Sequence, residues 1–149
     1  MANAASVTIT ATVLPDNIAK SISGSQTVTP GDANDKWYYK FTNVSNTSTN
    51  LMAGYFTDYT GVDDDTVPTA IHTADLVKFL FVKNTDSSND VYINVADGAA
   101  SSSAAGSIKI PAGQSVALQI PNSTVDNIHA ITSTGTVDCI VAALLDDVA

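Results

Sequence analysis

Glutamate and arginine are missing from this chain altogether: all 15 acidic residues are Asp and all 6 basic residues are Lys. The absence of Arg removes the fork-shaped donor that reads guanine edges, and six scattered lysines do not build the cationic track that phosphate binding requires. With a formal charge of −9 the chain repels both nucleic acid and anionic lipid surfaces, so neither is expected as a partner. Glu and Arg are also good helix formers, and their loss tilts the composition toward Thr, Val and Ile, which favour pleated strands. The single cysteine, Cys139, excludes an intramolecular disulfide. No apolar run approaches the ~18 residues of a membrane-crossing helix. Residues 1–13, MANAASVTITATV, have neither a basic stretch nor a continuous apolar one, and so do not read as a secretory signal. The glycosylation sequons at Asn43, Asn46 and Asn122 are accordingly chance products of a Ser/Thr/Asn-rich surface.

Charge in general is scarce. Only 14% of residues are charged, against roughly 25% in an average soluble domain, while 44% are apolar. A chain of 149 residues with that balance buries a core, and its surface relies on Ser, Thr and Asn. Domain organisation follows simply: a flexible arm over residues 1–5, rich in small side chains, and a single domain over residues 6–149.

What is present is alternation. Residues 6–13 set Val7, Ile9, Ala11 and Val13 against three threonines, the pattern of a half-buried strand. Leu14 to Asn17 reads as a turn, and the stretch on to Asp35 as loop with one short strand at 27–29. In 36–41, Trp37, Tyr39 and Phe41 share one face and are expected in the core, with Lys36, Tyr38 and Lys40 on the other. A further strand is expected at 51–55. Residues 76–83 are apolar on both faces, which predicts a central strand or one that meets a neighbouring subunit. A turn at Ser87 and Ser88 would pair it with 91–95, placing Leu80 and Val82 beside Val95 and Ile93. Residues 97–106 read as an Ala/Ser/Gly excursion, Pro111 to Gly113 as a tight corner, and 115–120 as a strand with Val116, Leu118 and Ile120 inward. A last hairpin pairs 127–132 with 136–144 around Thr134 and Gly135. The class is all-β: an antiparallel β-sandwich, jelly-roll-like, with an immunoglobulin-like sandwich as the alternative.

No constellation of reactive side chains accompanies these strands, and no catalytic, cofactor-binding or metal-binding residue is assigned. In the last hairpin, strand parity puts His129 near Asp138 and Cys139 on the opposite face, so a Cys/His nucleophile pair is disfavoured and Cys139 reads as a small core residue. His72 lies in a loop without a sequence partner. Ser25 follows Gly24 but lacks the remainder of a nucleophile elbow. Asp58, Asp63, Asp64 and Asp65 offer hard oxygen ligands for Ca²⁺, yet their spacing is not that of an EF-hand loop, and a solvated acidic tip explains them better. Binding by surface contact is what remains. Tyr38, Tyr55, Tyr59, Leu76, Val77, Phe79, Phe81, Leu144 and Leu145 are the candidate interface residues, drawn from the free tyrosines, the two-faced strand and the apolar end of the chain.

The stretch VKFLFVKNTDSSNDVYINV, followed by SIKIPAGQSVALQIP, a short IHAI strand and a closing VDCIVAALLDD, resembles small virion structural proteins of tailed bacteriophages. It is most similar to head decoration (cement) proteins, over roughly the last half of the chain. The resemblance implies a protein that binds the outer lattice of the phage head, with the major capsid protein as partner, as a trimer or dimer that stabilises the shell. It implies assembly in the bacterial host cytoplasm and residence in the virion, and it brings no catalytic residue or cofactor. Another virion role, in a neck, tail or fibre-associated module, and a carbohydrate- or cell-surface-binding sandwich are the alternatives.

Overall fold

The computed structural model describes residues 4–13, 20–56, 69–96 and 98–148. Two compact units divide the chain, Met1–Gly31 and Asp32–Ala149. The first holds a two-stranded antiparallel sheet, β1 (Ala5–Val13) with β2 (Lys20–Val28), in register from Ala5 opposite Val28 to Val13 opposite Lys20. The strand at 6–13 is therefore present but belongs to this hairpin and not to the sandwich. Its partner β2 is nine residues long where one short strand was expected, because its Ser-rich sequence around Gly24 carries no apolar alternation to reveal it.

The second unit is a sandwich of two four-stranded antiparallel sheets. Its strands are β3 (Asp35–Val44), β4 (Thr49–Asn50), β5 (Leu76–Asn84), β6 (Val91–Asn94), β7 (Ile108–Ile110), β8 (Ser115–Thr124), β9 (His129–Thr132) and β10 (Val137–Asp146), with one short 3₁₀ turn at Val125–Asn127. One sheet runs β3-β10-β5-β8 and the other β4-β9-β6-β7. Within these eight, the first strand pairs with the last, the second with the seventh, the third with the sixth and the fourth with the fifth. That nesting is a single antiparallel ribbon rolled over on itself, the jelly roll, and it sets the immunoglobulin-like order aside.

The nesting overturns two expected hairpins. The segments 76–83 and 91–95 lie in opposite sheets, as do 127–132 and 136–144. Leu80 and Val82 instead pair with Leu118 and Val116 on one side, and with Ala143 and Val141 on the other. The turns between are corners that carry the chain from one sheet to the other. At the first, Asp86 Oδ1 accepts the backbone N–H of Ser88 and of Asn89, both at 2.7 Å. Asn84, fully buried, braces it: Nδ2 donates to the carbonyls of Asn89 (2.8 Å) and Ile110 (3.1 Å), and Oδ1 accepts from Asp86 N–H. The expected corner at Pro111–Gly113 is there, closed by Gln114 N–H donating to Pro111 O at 3.0 Å, with Gly113 at φ 72° where a side chain would be strained.

The core lies between the sheets. From β10 it takes every second residue, Val137, Cys139, Val141, Ala143 and Leu145, each at most 1% exposed. Val116, Leu118 and Ile120 of β8 face it as expected. β5 is a central strand, flanked by β10 and β8, and both pairings break register at Lys78: against β10 Lys78 is an extra residue, while against β8 the surplus lies on β8, where Ile120, Pro121 and Asn122 stand against it. The bulge resets the parity, so Val77 joins Leu80 and Val82 in the core, not Phe79 and Phe81 on the other face. No helix among the described residues is long and apolar enough to cross a membrane.

Candidate interaction surface

The outer face of the β3-β10-β5-β8 sheet is built by the same alternation that fills the core, read from the other parity. Three cross-strand rows make it: Trp37–Leu144–Phe79–Gln119, Tyr39–Ala142–Phe81–Ala117 and Phe41–Ile140–Lys83–Ser115. Trp37 meets Phe79 edge to face, ring centres 6.3 Å apart, a favoured arrangement for aromatic pairs. Leu144 and Phe79 are buried, whereas Tyr39 and Phe41 stand 54% and 56% exposed with Phe81 half-buried beside them. These twelve central positions carry no Asp, and Lys83 is their only charge; the acids of this face stand at its two ends, in the rows Asn43–Asp138 and Asp35–Asp146. Aromatic enrichment with charge depletion marks the centre of protein interfaces.

This reverses the expected faces of β3. Tyr38, expected free, is 1% exposed in the core, its hydroxyl 3.4 Å from the Ala53 carbonyl, and burial pushes its phenol up from the usual 10.0. Trp37, Tyr39 and Phe41, expected inside, face outward. β3 is an edge strand, and its lysines on the inward parity escape sideways: Lys36 Nζ reaches Asp147 at 2.7 Å and Lys40 Nζ the Ala53 carbonyl at 3.2 Å. Val44, two turns of the pleat beyond Lys40 on that parity and 1% exposed, is the signal that could have chosen the face.

Of the other candidate interface residues, Val77 and Leu145 are core, and Phe79 and Leu144 lie on the outer face but covered. Leu76 and Phe81 are half-buried, and Tyr55, bridged to Ala70, is 59% exposed. Tyr59 and the acidic run Asp58 to Asp65 lie outside the described residues. Leu76 and Val77 also line an open depression of about 540 Å³ with Lys78, Gln119, Ile120, Pro121 and Asn122, where β8 bulges and Asn122 takes φ 60°.

The reactive side chains stay apart. Cys139 is buried between the sheets, and that burial, with Asp138 adjacent, pushes its thiol up to about 12. His129 lies in the opposite sheet, so its expected neighbour Asp138 is not beside it: Asp138 accepts from Asn43 Nδ2 at 2.9 Å. His129 Nδ1 instead meets Ser48 Oγ at 3.1 Å, and that oxygen also accepts the Ala100 N–H at 2.8 Å, which makes the pair a tie for the loop after β6. Carboxylate oxygens of Asp32, Asp35 and Asp146 lie within 4.8 Å of one another. Lys78 Nζ sits 2.5 Å from Asp35 and 3.1 Å from Asp146, so a side chain already supplies the positive charge there.

No protein-family model, curated protein or solved structure matches this chain.

Proposed function

We propose that this chain is a structural component of a phage virion, a decoration protein that binds the outer face of the head and stabilises it as a homo-oligomer. The observation that carries the reading is the acid-free centre of this face, which displays Tyr39, Phe41 and Phe81 on an otherwise acidic chain and keeps its acids at the two ends. The jelly roll, a fold that serves in viral shells, supports it, as does the sequence resemblance. Thermodynamically the role needs only a protein that binds the assembled lattice and not its free subunits, since such binding stabilises the assembly by mass action.

The test is titration of labelled protein onto expanded empty heads and onto free capsid subunits. Saturable binding to heads alone is expected, and Tyr39→Ala with Phe41→Ala should weaken it by about thirtyfold if these rings anchor the contact. Equal binding to free subunits, or none to heads, overturns the reading; labelling at the neck or tail moves the protein elsewhere in the virion. A second reading, a carbohydrate-binding sandwich, draws on the same two rings, which sit on one strand face about 7 Å apart, a spacing at which two sugar rings can stack. A glycan array decides between them.

A further inference from the structure

Edge strands invite pairing with other chains, and folded proteins blunt them with brevity, proline, bulges or charge. The sandwich uses all four devices. β4 has two residues and β7 three. β8 carries Pro121 and its register break, and β3 carries Asp35, Lys36 and Lys40. The hairpin's first strand uses none. β1 is nine residues, ASVTITATV, without charge, proline or bulge, and its register with β2 is unbroken. Among the described residues β1 pairs with β2 alone. Ile9 and Ile22 stand 54% and 62% exposed on one face, and Thr8, Thr10, Ser23 and Ser25 are exposed on the other. A two-stranded sheet in that condition is marginal in water, and three or more strands are the usual remedy.

We propose that β1 pairs antiparallel with β1 of a second copy of the chain, giving a four-stranded sheet in the order β2-β1-β1-β2 about a two-fold axis. The sequence of β1 names this occupant. From Val7 to Val13 it reads V-T-I-T-A-T-V, almost the same in both directions about Thr10. Antiparallel pairing centred there sets Thr8 opposite Thr12 and Ile9 opposite Ala11, so that each position in the register is matched by a residue of its own class. A two-fold interface demands such a self-complementary patch. Charge agrees: two chains of −9 repel, and they approach at least cost through strands with no Asp at all. β2 carries Lys20 and a central Gly24, which weaken it as a template, so the sheet closes at four strands without growing into a fibre.

This pairing deepens the oligomeric part of the proposed function, and its test is kept apart from head binding because it uses the free protein. Light scattering on the eluted protein should give twice the mass of one chain. On the dyad, Thr10 faces its own copy, so Thr10→Lys and Thr10→Asp each place like charges together and should weaken the dimer about tenfold or more. Mixing the two variants should restore it as a heterodimer. Thr10 is exposed, and an unchanged far-UV spectrum in each variant confirms that the fold is kept. Wild-type protein that stays monomeric, single variants that dimerise as well as wild type, or a mixture that regains nothing each overturn the proposal. A dimer that survives all three while head binding fails leaves the pairing standing and removes the decoration reading.

Discussion

The hairpin and β10 are written in nearly the same alphabet of Val, Ile, Ala and Thr at alternate positions, yet they end in opposite states. In β10 the alternation delivers five residues into a closed core, none more than 1% exposed. In β1 and β2 the same alternation leaves Ile9 and Ile22 more than half exposed. Local pattern decides that a segment is a strand and which residues share a face. Whether that face becomes core depends on a second layer arriving opposite it, and in the sandwich the layer arrives because the ribbon rolls over on itself. The two regions should therefore differ far more in protection and stability than in composition.

Thiol chemistry gives the widest contrast. Cys139 is fully buried with its thiol pushed up to about 12 by that burial, so at pH near 8 it holds almost no thiolate and no reagent reaches it. A cysteine introduced by Ile22→Cys sits in the open. Its labelling by a thiol reagent is expected to outrun that of Cys139 by at least ~10³-fold, since Cys139 reacts only through opening of the sandwich. Comparable rates at the two sites would mean that the core is not closed.

Truncation sharpens the same contrast in energy. Leu80, at 0% exposure between the sheets, should cost about 2–5 kcal/mol when cut to Ala, whereas Ile22→Ala should move the sandwich's unfolding by less than about 0.5 kcal/mol. Polar residues follow suit. Asn84→Ala removes partners from the Ile110 and Asn89 carbonyls and from Asp86 N–H, a loss of roughly 1–3 kcal/mol. Ser25→Ala on the hairpin's exposed hydroxyl face should change little. Thermal or urea unfolding of the four variants measures all of these.

These contrasts also show what a reading of the residues could reach. The strands β1, β9 and β10, the inward face of β8 and the corner at Pro111–Gly113 follow from alternation and turn chemistry, and the two apolar faces of β5 allowed its central place beside a place at a subunit contact. Pairing did not follow, because a corner between sheets and a hairpin turn use the same Asp, Asn, Ser and Gly. The Asp86 turn looks like either until Asn84 is seen tying it to Ile110 across the sandwich. The face of β3 was misjudged because inward Lys36 and Lys40 look solvent-bound until the strand is known to lie at an edge. Phe81 was legible as a surface aromatic, but Tyr39 and Phe41, the most exposed rings of the candidate surface, were not.

The smallest effect concerns Lys78, the extra residue at the β5 bulge. Its hydrogen bond to Asp35 holds its ammonium above the usual 10.5, with partial burial opposing and Asp146 adding to the pull. A group whose folded pKa is raised stabilises fully below its unfolded value, and the contribution fades as pH climbs through the folded one. The Lys78 side chain is 41% exposed, so solvent screening limits the gain to a few tenths of a kcal/mol, even though the Asp35 side chain is 2% exposed. Lys78→Met should therefore melt slightly below wild type from neutral pH to about pH 10, and the gap should close above about pH 10.5 as wild type loses the same charge. The hairpin's only charged strand residue, Lys20, makes the control: if Lys20→Met shows an equal gap with the same closure, the effect belongs to net charge on an acidic chain and not to the Asp35–Lys78–Asp146 cluster.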